Sequence, residues 1–437
     1  MSQDGCCGHE SAQNTGPPLP QKTMRDPEQH QITSDVMGGG FATRKGKVSY
    51  YFDEDFSIYQ VSQTHPMKPF RIKMTDSLIR SYGLDQKMTH FDVDENYVSQ
   101  VDLSRFHSDD YVDCLRSISL ANREKYHDQI HRFSFGDDCP IFDNMLDYCQ
   151  RYTAGSLLAS TKITPAFGDE ISINWSGGLH HAKKYEASGF CYANDCVLAI
   201  LELLKTYQRV LYIDIDCHHG DGVEEAFLTT DRVMTASFHK FGDYFPGTGS
   251  LDDIGVEEGK YYSVNFPFND GVNDESFLAA YQPVMREIIH RFKPESIVMQ
   301  CGADSLCGDR LGMFNLSIHG HGEAVKFTKS FGIPMILIGG GGYSLRNVAR
   351  CWTYETSVAL GVEIDNKIPE HDYSIYYYPA NQIHAPVSNQ ENLNPMSEIE
   401  LTTKKILENL KHVKAVTVDT SYYHNGTPGA QVPTLTN

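Results

Sequence analysis

The residues best able to do chemistry fall in four short segments: Trp175-Ser176-Gly177-Gly178-Leu179-His180-His181, Asp214-Ile215-Asp216-Cys217-His218-His219-Gly220-Asp221, Cys301-Gly302-Ala303-Asp304 and Gly339-Gly340-Gly341-Gly342-Tyr343. In the second, carboxylates and an imidazole recur at a spacing of two. On an extended chain Asp214, Asp216 and His218 share one face, with successive members about 7 Å apart at the backbone, near enough to converge on one ion. Asp216 and His218, joined by Asp304, make a donor set of one imidazole and two carboxylates. Three protein ligands leave a coordination position for water, which is the catalytic form of a zinc site. A lone Asp-x-His more often serves turns and caps, but the four segments together are hard to explain by packing.

His180-His181 calls for different chemistry. Adjacent imidazoles do not easily bind one ion together, yet each can take its own carboxylate, which fixes the tautomer and raises the basicity. Asp214 and Asp221 are the available partners, and the pair reads as proton-transfer groups. The four glycines before Tyr343 allow close backbone approach. Tyr343 then either donates its hydroxyl to a developing oxyanion or packs the loop against a helix, and spacing does not separate the two. A phosphate cradle is excluded, since no Lys-Ser/Thr follows the glycines. Ser188-Gly189-Phe190-Cys191 and Tyr244-Phe245-Pro246-Gly247-Thr248-Gly249 set aromatic rings beside glycine. Such rings either form a narrow slot for an aliphatic chain or are packing devices.

These segments must be positioned by the elements before them. Ile171–Asn174, Val210–Ile213, Val233–Ser237, Ile297–Gln300 and Met335–Ile338 are short apolar runs expected as fully buried strands. Helical stretches separate them, including Asn194–Thr206, Glu275–Phe292 and Gly320–Phe331. The alternation predicts an α/β domain with a parallel sheet and helices on both faces. Ligands in such folds bind beyond the carboxyl ends of the strands, where the four segments lie.

Residues 1–46, polar and rich in Gly and Pro, are expected to be a disordered leader. Order is expected from Val48-Ser49-Tyr50-Tyr51-Phe52. The catalytic domain is drawn at 47–378 and a polar extension at 379–415, with an amphipathic helix from Ser397 to Val413 packed on or near the domain. A disordered tail is drawn at 416–437. The chain has 437 residues, 40% of them apolar, ample for a single large core. No apolar run is long enough to span a bilayer, and no leader of the secretory type is seen. Eleven scattered cysteines are expected as reduced thiols of cytosol or nucleus. The net charge of −20 argues against unaided or sequence-specific grip on nucleic acid and suits a basic partner.

With those residues in view, the chain resembles the class I histone deacetylases from about Val48 to Asp372, and more weakly to Val413. The likeness is most specific over His65-Pro66-Met67-Lys68-Pro69, Gly178–Asp195, Tyr212–Phe227, Val233–Gly249 and Gly339–Thr356. It implies a single domain of the arginase/deacetylase fold, with a central eight-stranded parallel sheet flanked by helices. It also implies zinc-dependent hydrolysis of N6-acetyl-lysine in histone tails, and in other proteins, to lysine and acetate. That activity would serve chromatin regulation and transcriptional repression in the nucleus, with a cytoplasmic pool open, and with co-repressor subunits as partners.

Carried over by the resemblance, one zinc is held by Asp216, His218 and Asp304, and Tyr343 stabilises the transition state. His180 and His181 are the active-site pair, backed by Asp214 and Asp221. Gly189, Phe190, Phe245 and Leu311 line an acyl-lysine tunnel, and Asp138 holds the substrate backbone at its rim. Two potassium ions are implied: an inner one at Asp214, Asp216, His218, Ser237 and Phe238, largely through main-chain oxygens, and an outer one at Phe227, Thr230, Val233 and Tyr262. Lys68, Arg310 and Arg346 match an inositol phosphate site. Gln60 and Thr64 depart from it by standing where His and Gly are usual, and Phe70 replaces a common His. Cys217 fills a usually aliphatic position. An arginase-like pair of manganese ions would need a carboxylate two residues beyond Asp304, where the chain has Leu306. A catalytically silent scaffold would lack a ligand or a proton-transfer residue, and none is missing.

Overall fold

Runs of Val, Ile, Leu and Met too apolar to alternate become strands covered on both faces. The structure, a computed structural model, describes residues 47–414. The strands are β1 (Val48–Phe52), β2 (Thr89–Asp92), β3 (Ile171–Asn174), β4 (Val210–Asp214), β5 (Val233–Lys240), β6 (Ser263–Phe268), β7 (Ser296–Gln300) and β8 (Met335–Ile338). They form one eight-stranded sheet in the order β2-β1-β3-β8-β7-β4-β5-β6, and every neighbouring pair is parallel. The expected architecture is therefore observed.

The register explains why the four chemical segments meet. Asn174 faces Ile338, Ile338 faces Gln300, and Gln300 faces Asp214. The last residues of β3, β8, β7 and β4 thus lie in one row across the middle of the sheet. With strands about 4.8 Å apart, that row spans about 15 Å. The chain leaves all four strands from one line, within reach of a single centre.

β2 and β6 were not evident from the sequence. Both are edge strands, where one neighbour is missing and an unbroken apolar run is not required. β2 is Thr-His-Phe-Asp with both ends exposed, and β6 carries Pro267. β5 runs three residues past the expected end, to Lys240.

Of the expected helices, Asp195–Leu203, Asp274–Phe292 and Ile318–Lys329 form, each capped by a side chain: Asn194, Asn273 and Ser317. Helices Phe70–Ser81, Met145–Lys162 and Leu345–Leu360 also form; Met145–Lys162 packs on β1 and β3, and Phe70–Ser81 packs on Leu345–Leu360. Buried polar residues such as Thr153, Ser156 and Thr353 mask their apolar stripes. The amphipathic helix of the extension spans Met396–Leu410, with Ile399, Ile406 and Leu410 buried, and it packs on helix Asp274–Phe292. The expected leader (1–46) and tail (416–437) lie outside the described residues. Among those described, the cysteines are free and no helix is long and apolar enough to cross a membrane.

Candidate active site

The β4 exit departs from the extended geometry expected of it. Only Asp214 is in the strand. The Asp216 N–H donates to Asp214 Oδ1 at 3.1 Å, and the His218 N–H donates to Asp216 Oδ1 at 3.0 Å. Each carboxylate thus ties down the amide two residues on, a local turn that Asp favours, and Asp216 and His218 fold over the sheet edge instead of continuing it.

There His218 Nδ1 lies 3.1 Å from Asp216 Oδ1 and 3.0 Å from Asp304 Oδ2. The second oxygens are held by protein donors: Gln300 Nε2 at 2.9 Å and the Gly341 N–H at 2.8 Å on Asp216, and the Cys217 N–H at 2.9 Å on Asp304. All three side chains are buried. Two buried carboxylates sharing one imidazole are costly unless a cation lies among them. Burial, then the Asp216 charge, pushes Asp304 up to about 7 in spite of His218. On Asp216 burial is outweighed by His180 and His218, which hold it well below the usual carboxylate range. Ligand-type atoms of Asp216, Cys217, His218 and Asp304 all lie within 4.8 Å of one another. One imidazole and two carboxylates fit zinc. Leu306 is buried and supplies no second carboxylate.

Beside this centre stand the two histidines, their rings 3.9 Å apart. His180 Nδ1 donates to Asp214 Oδ2 and His181 Nδ1 to Asp221 Oδ1, both at 2.7 Å. Asp214 Oδ2 also accepts from the Tyr212 hydroxyl at 2.6 Å, and Lys183 Nζ sits 2.6 Å from Asp221 Oδ2. The turn before them hangs on Asp195, which accepts from the Gly178 and Leu179 amides at 2.9 and 2.8 Å. Gly178 has φ +94°, and a Cβ there would sit 2.4 Å from Gly339 C, so only glycine fits.

The two imidazoles differ in charge. Burial lowers His180, but Asp214 and Asp216 outweigh it and raise its pKa to about 9. Burial and then the charge of His180 hold His181 down at about 3, against the pull of Asp221. At neutral pH His181 is thus a neutral imidazole with its proton on Nδ1 and a lone pair on Nε2, next to a charged His180.

Tyr343 enters from β8. Its amide donates to Asp309 Oδ2 at 2.7 Å, and Arg71 holds the glycines before it, donating to Gly342 O at 2.7 Å and Gly340 O at 2.5 Å. Burial, then Asp304 and Asp216, raises the Tyr343 pKa well above its ordinary value, so the phenol keeps its proton. Phe190 packs edge-on to Tyr343 at 5.6 Å and Phe245 edge-on to His181 at 4.9 Å. Gly189 lies between them, and a Cβ there would sit 2.6 Å from His181 Cδ2 and 2.8 Å from the Phe245 ring. Gly189→Ala is expected to raise KM for an acetyl-lysine peptide about tenfold or more by narrowing the slot, as steady-state kinetics would record. Leu311 and Phe245 are exposed at the rim. Asp138 is also exposed, and its carbonyl accepts from His65 Nε2 at 3.1 Å, while the His65 ring packs on Phe190 at 4.5 Å.

Arg71, Asp195, Gln300 and Asp309 were missed as site residues. Arg71, Asp195 and Gln300 are polar groups next to apolar runs and Asp309 lies between Gly308 and Arg310, and nothing in these patterns names their distant partners.

The remaining expected residues lie as follows. Asp214 pairs in register with Ser237, and Phe238 follows in the same strand. Ser237 Oγ is 2.8 Å from His239 Nδ1. The Thr230 amide donates to Phe227 O at 3.3 Å, Tyr262 O accepts from Thr235 N at 3.0 Å, and Val233 opens β5. Lys68 Nζ is turned onto Ser62 O and Gln63 O, at 2.9 and 2.8 Å, while Arg310 and Arg346 are exposed. Phe70 packs on Tyr373, ring centroids 5.3 Å apart.

A one-cation donor set at the carboxyl ends of a parallel sheet, with a neutral imidazole beside it, defines a metal-dependent hydrolase of the α/β class. Comparison with known proteins narrows the class. The histone deacetylase domain model matches residues 65–359. The chain is similar to histone deacetylase 1 of Bos taurus, 54% identical over 367 residues, covering 84% of this chain and 76% of that protein. It is also similar to probable histone deacetylase 1-B of Xenopus laevis, 55% identical over 84% of this chain and 76% of the relative. Histone deacetylase 19 of Arabidopsis thaliana is 55% identical, over 85% and 73%. The chain belongs to the histone deacetylase family.

Proposed function

We propose that this histone deacetylase hydrolyses N6-acetyl-lysine in histone tails, and in other proteins, to lysine and acetate through one zinc ion held by Asp216, His218 and Asp304. The observation that carries this reading is the junction of His218 Nδ1 with both carboxylates, at 3.1 and 3.0 Å, beside a neutral His181. When bound, zinc supplies Lewis acidity to the amide carbonyl and acidity to water. The aliphatic stem of the substrate lies between Phe190 and Phe245, with Gly189 and Leu311 completing the tunnel. Asp138 holds the peptide backbone at the rim.

His181 Nε2 takes a proton from the attacking water as the water oxygen bonds to the acyl carbon. Tyr343 donates its hydroxyl to the oxyanion that develops, a donor worth about 10²–10³ in kcat. His180, kept charged by Asp214, stabilises the same negative charge. His181 then gives its proton to the lysine nitrogen as the carbon–nitrogen bond breaks, and Asp221 holds its ring throughout. Two potassium ions would be bound through the oxygens of Asp214, Asp216, His218, Ser237 and Phe238, and of Phe227, Thr230, Val233 and Tyr262. Nuclear co-repressor subunits are the proposed partners, joined through an inositol phosphate on Lys68, Arg310 and Arg346. The acidic chain suits basic histone tails.

Acetate release from an acetylated histone-tail peptide by the zinc-loaded full chain tests this, with nuclear partners supplied. Tyr343→Phe is expected to lower kcat about 10²–10³-fold. No acetate from the wild type under any of these conditions would sink the reading.

A further inference from the structure

Bonded to the turn that carries Asp304 is a fully buried pair that the proposed chemistry does not use. His321 and Glu355 are both 0% exposed. His321 belongs to helix Ile318–Lys329, and Glu355 to helix Leu345–Leu360, which starts two residues after Tyr343. His321 Nδ1 is 2.5 Å from Glu355 Oε1, and its Nε2 is 3.0 Å from Gly302 O. A carbonyl only accepts, so Nε2 carries a proton and donates it to Gly302. Glu355 Oε2 has no partner, so the carboxylate is committed to His321 alone.

The residue that receives this bond lies directly against the metal centre. Gly302 is two residues before Asp304, and a Cβ on it would lie 2.0 Å from Asp216 Oδ2. Its amide donates to Gln300 Oε1 at 2.8 Å, and Gln300 in turn donates to Asp216. The Ala303 amide donates to Gly341 O at 2.8 Å, tying the same turn to the glycines before Tyr343. Trp352, also on helix Leu345–Leu360, donates to Cys301 O at 2.8 Å. Two consecutive carbonyls of the turn that carries Asp304 are thereby gripped from the helix that follows Tyr343, one directly and one through His321.

We propose that Glu355 and His321 act as a positioning dyad: by holding Gly302, they fix Asp304 against Asp216 and His218 and so set the affinity of the centre for its metal. This rests on the reading of Asp304 as a metal ligand. A carboxylate–imidazole pair is the usual device for orienting a ligand itself. Here it works one step further out, on backbone, where no ligand is available to receive its proton. The preference for His is chemical: of the buried side chains of that size, it is one that can pair with a carboxyl group through one nitrogen and donate to a carbonyl through the other.

The test compares two variants of the full chain in the Glu355→Gln background, which leaves no unpaired buried charge. His321→Gln keeps an N–H for Gly302, and His321→Leu does not. Zinc Kd is measured by chelator competition, and kcat and KM on an acetyl-lysine peptide. The Leu variant is expected to bind zinc about tenfold more weakly than the Gln variant, with lower kcat and unchanged KM, because the slot is untouched. A pure packing role would treat the two alike, and equal zinc affinities and rates would overturn the proposal. If the Leu variant does not fold, Glu355→Gln alone decides against wild type. It is expected to weaken zinc binding measurably, and an unchanged Kd overturns the dyad. A wild type that binds no zinc would overturn the metal reading and the dyad with it, whereas zinc-binding wild type with indifferent variants overturns the dyad alone.

Discussion

Asp304→Asn is expected to abolish deacetylation and stoichiometric zinc binding while leaving the metal-free protein as stable as wild type or more so. The amide retains an acceptor for the Cys217 N–H that now donates to Asp304 Oδ1 at 2.9 Å, so that buried donor is not orphaned. What disappears is a charge. In the metal-free protein that charge is unfavourable, since burial and the neighbouring Asp216 raise the Asp304 pKa to about 7. Neutralising it relieves repulsion. With zinc the balance reverses: structural zinc sites contribute about 10–16 kcal/mol over four ligands, about 3 kcal/mol each, so the missing ligand weakens binding by a factor of about a hundred or more. At zinc one hundred times above its Kd the wild type gains about 2.7 kcal/mol of stability, and the variant should gain almost none. Thermal midpoints with and without zinc, plus metal content after dialysis, read this directly. A variant that keeps both zinc and turnover would remove Asp304 from the centre.

How legible this was in the sequence depends on what each residue does. Asp214, Asp216, His218, His180, His181 and Asp304 were visible because their types are improbable after buried strands. The parallel sheet was visible because β4, β7 and β8 are mostly apolar runs with no regular polar face, while β3 alternates Ile with Ser172 and Asn174 and is buried on both sides all the same. The same rule fails for β2 and β6, whose edge positions tolerate Thr, Asp and Pro. Geometry beyond the strands departs from the local pattern: a spacing of two implies an extended face, yet the carboxylates of Asp214 and Asp216 capture the amides two residues on and turn the chain. Arg71, Asp309, His321 and Glu355 act through contacts 19 to 271 residues away. Arg71 bonds Gly342 across 271 positions, and local pattern carries no information about such a partner. Tyr343 was ambiguous for the same reason. Its role depends on facing Asp304 and Phe190, which only the fold decides.

His181→Ala is expected to lower kcat by about 10³-fold, within the usual range for losing a general acid–base group, with KM changed less than about threefold. His180→Ala should behave differently, because the two rings hold different charges. His180 is raised from 6.5 to about 9, so it is charged at neutral pH and loses its proton only as pH climbs through about 9. His181 is held near 3 and stays neutral over the whole working range. A base must be neutral and an electrostatic stabiliser charged, so the environment separates two identical side chains into two roles, as like-charge repulsion and unequal carboxylate support require. The wild type should therefore lose kcat on the alkaline side as His180 gives up its proton, and His180→Ala should have a lower kcat without that limb. His181→Ala should keep the limb at its reduced rate. pH profiles of the three proteins on one acetyl-lysine peptide distinguish these outcomes. An alkaline limb that vanishes in His181→Ala but persists in His180→Ala would exchange the two assignments.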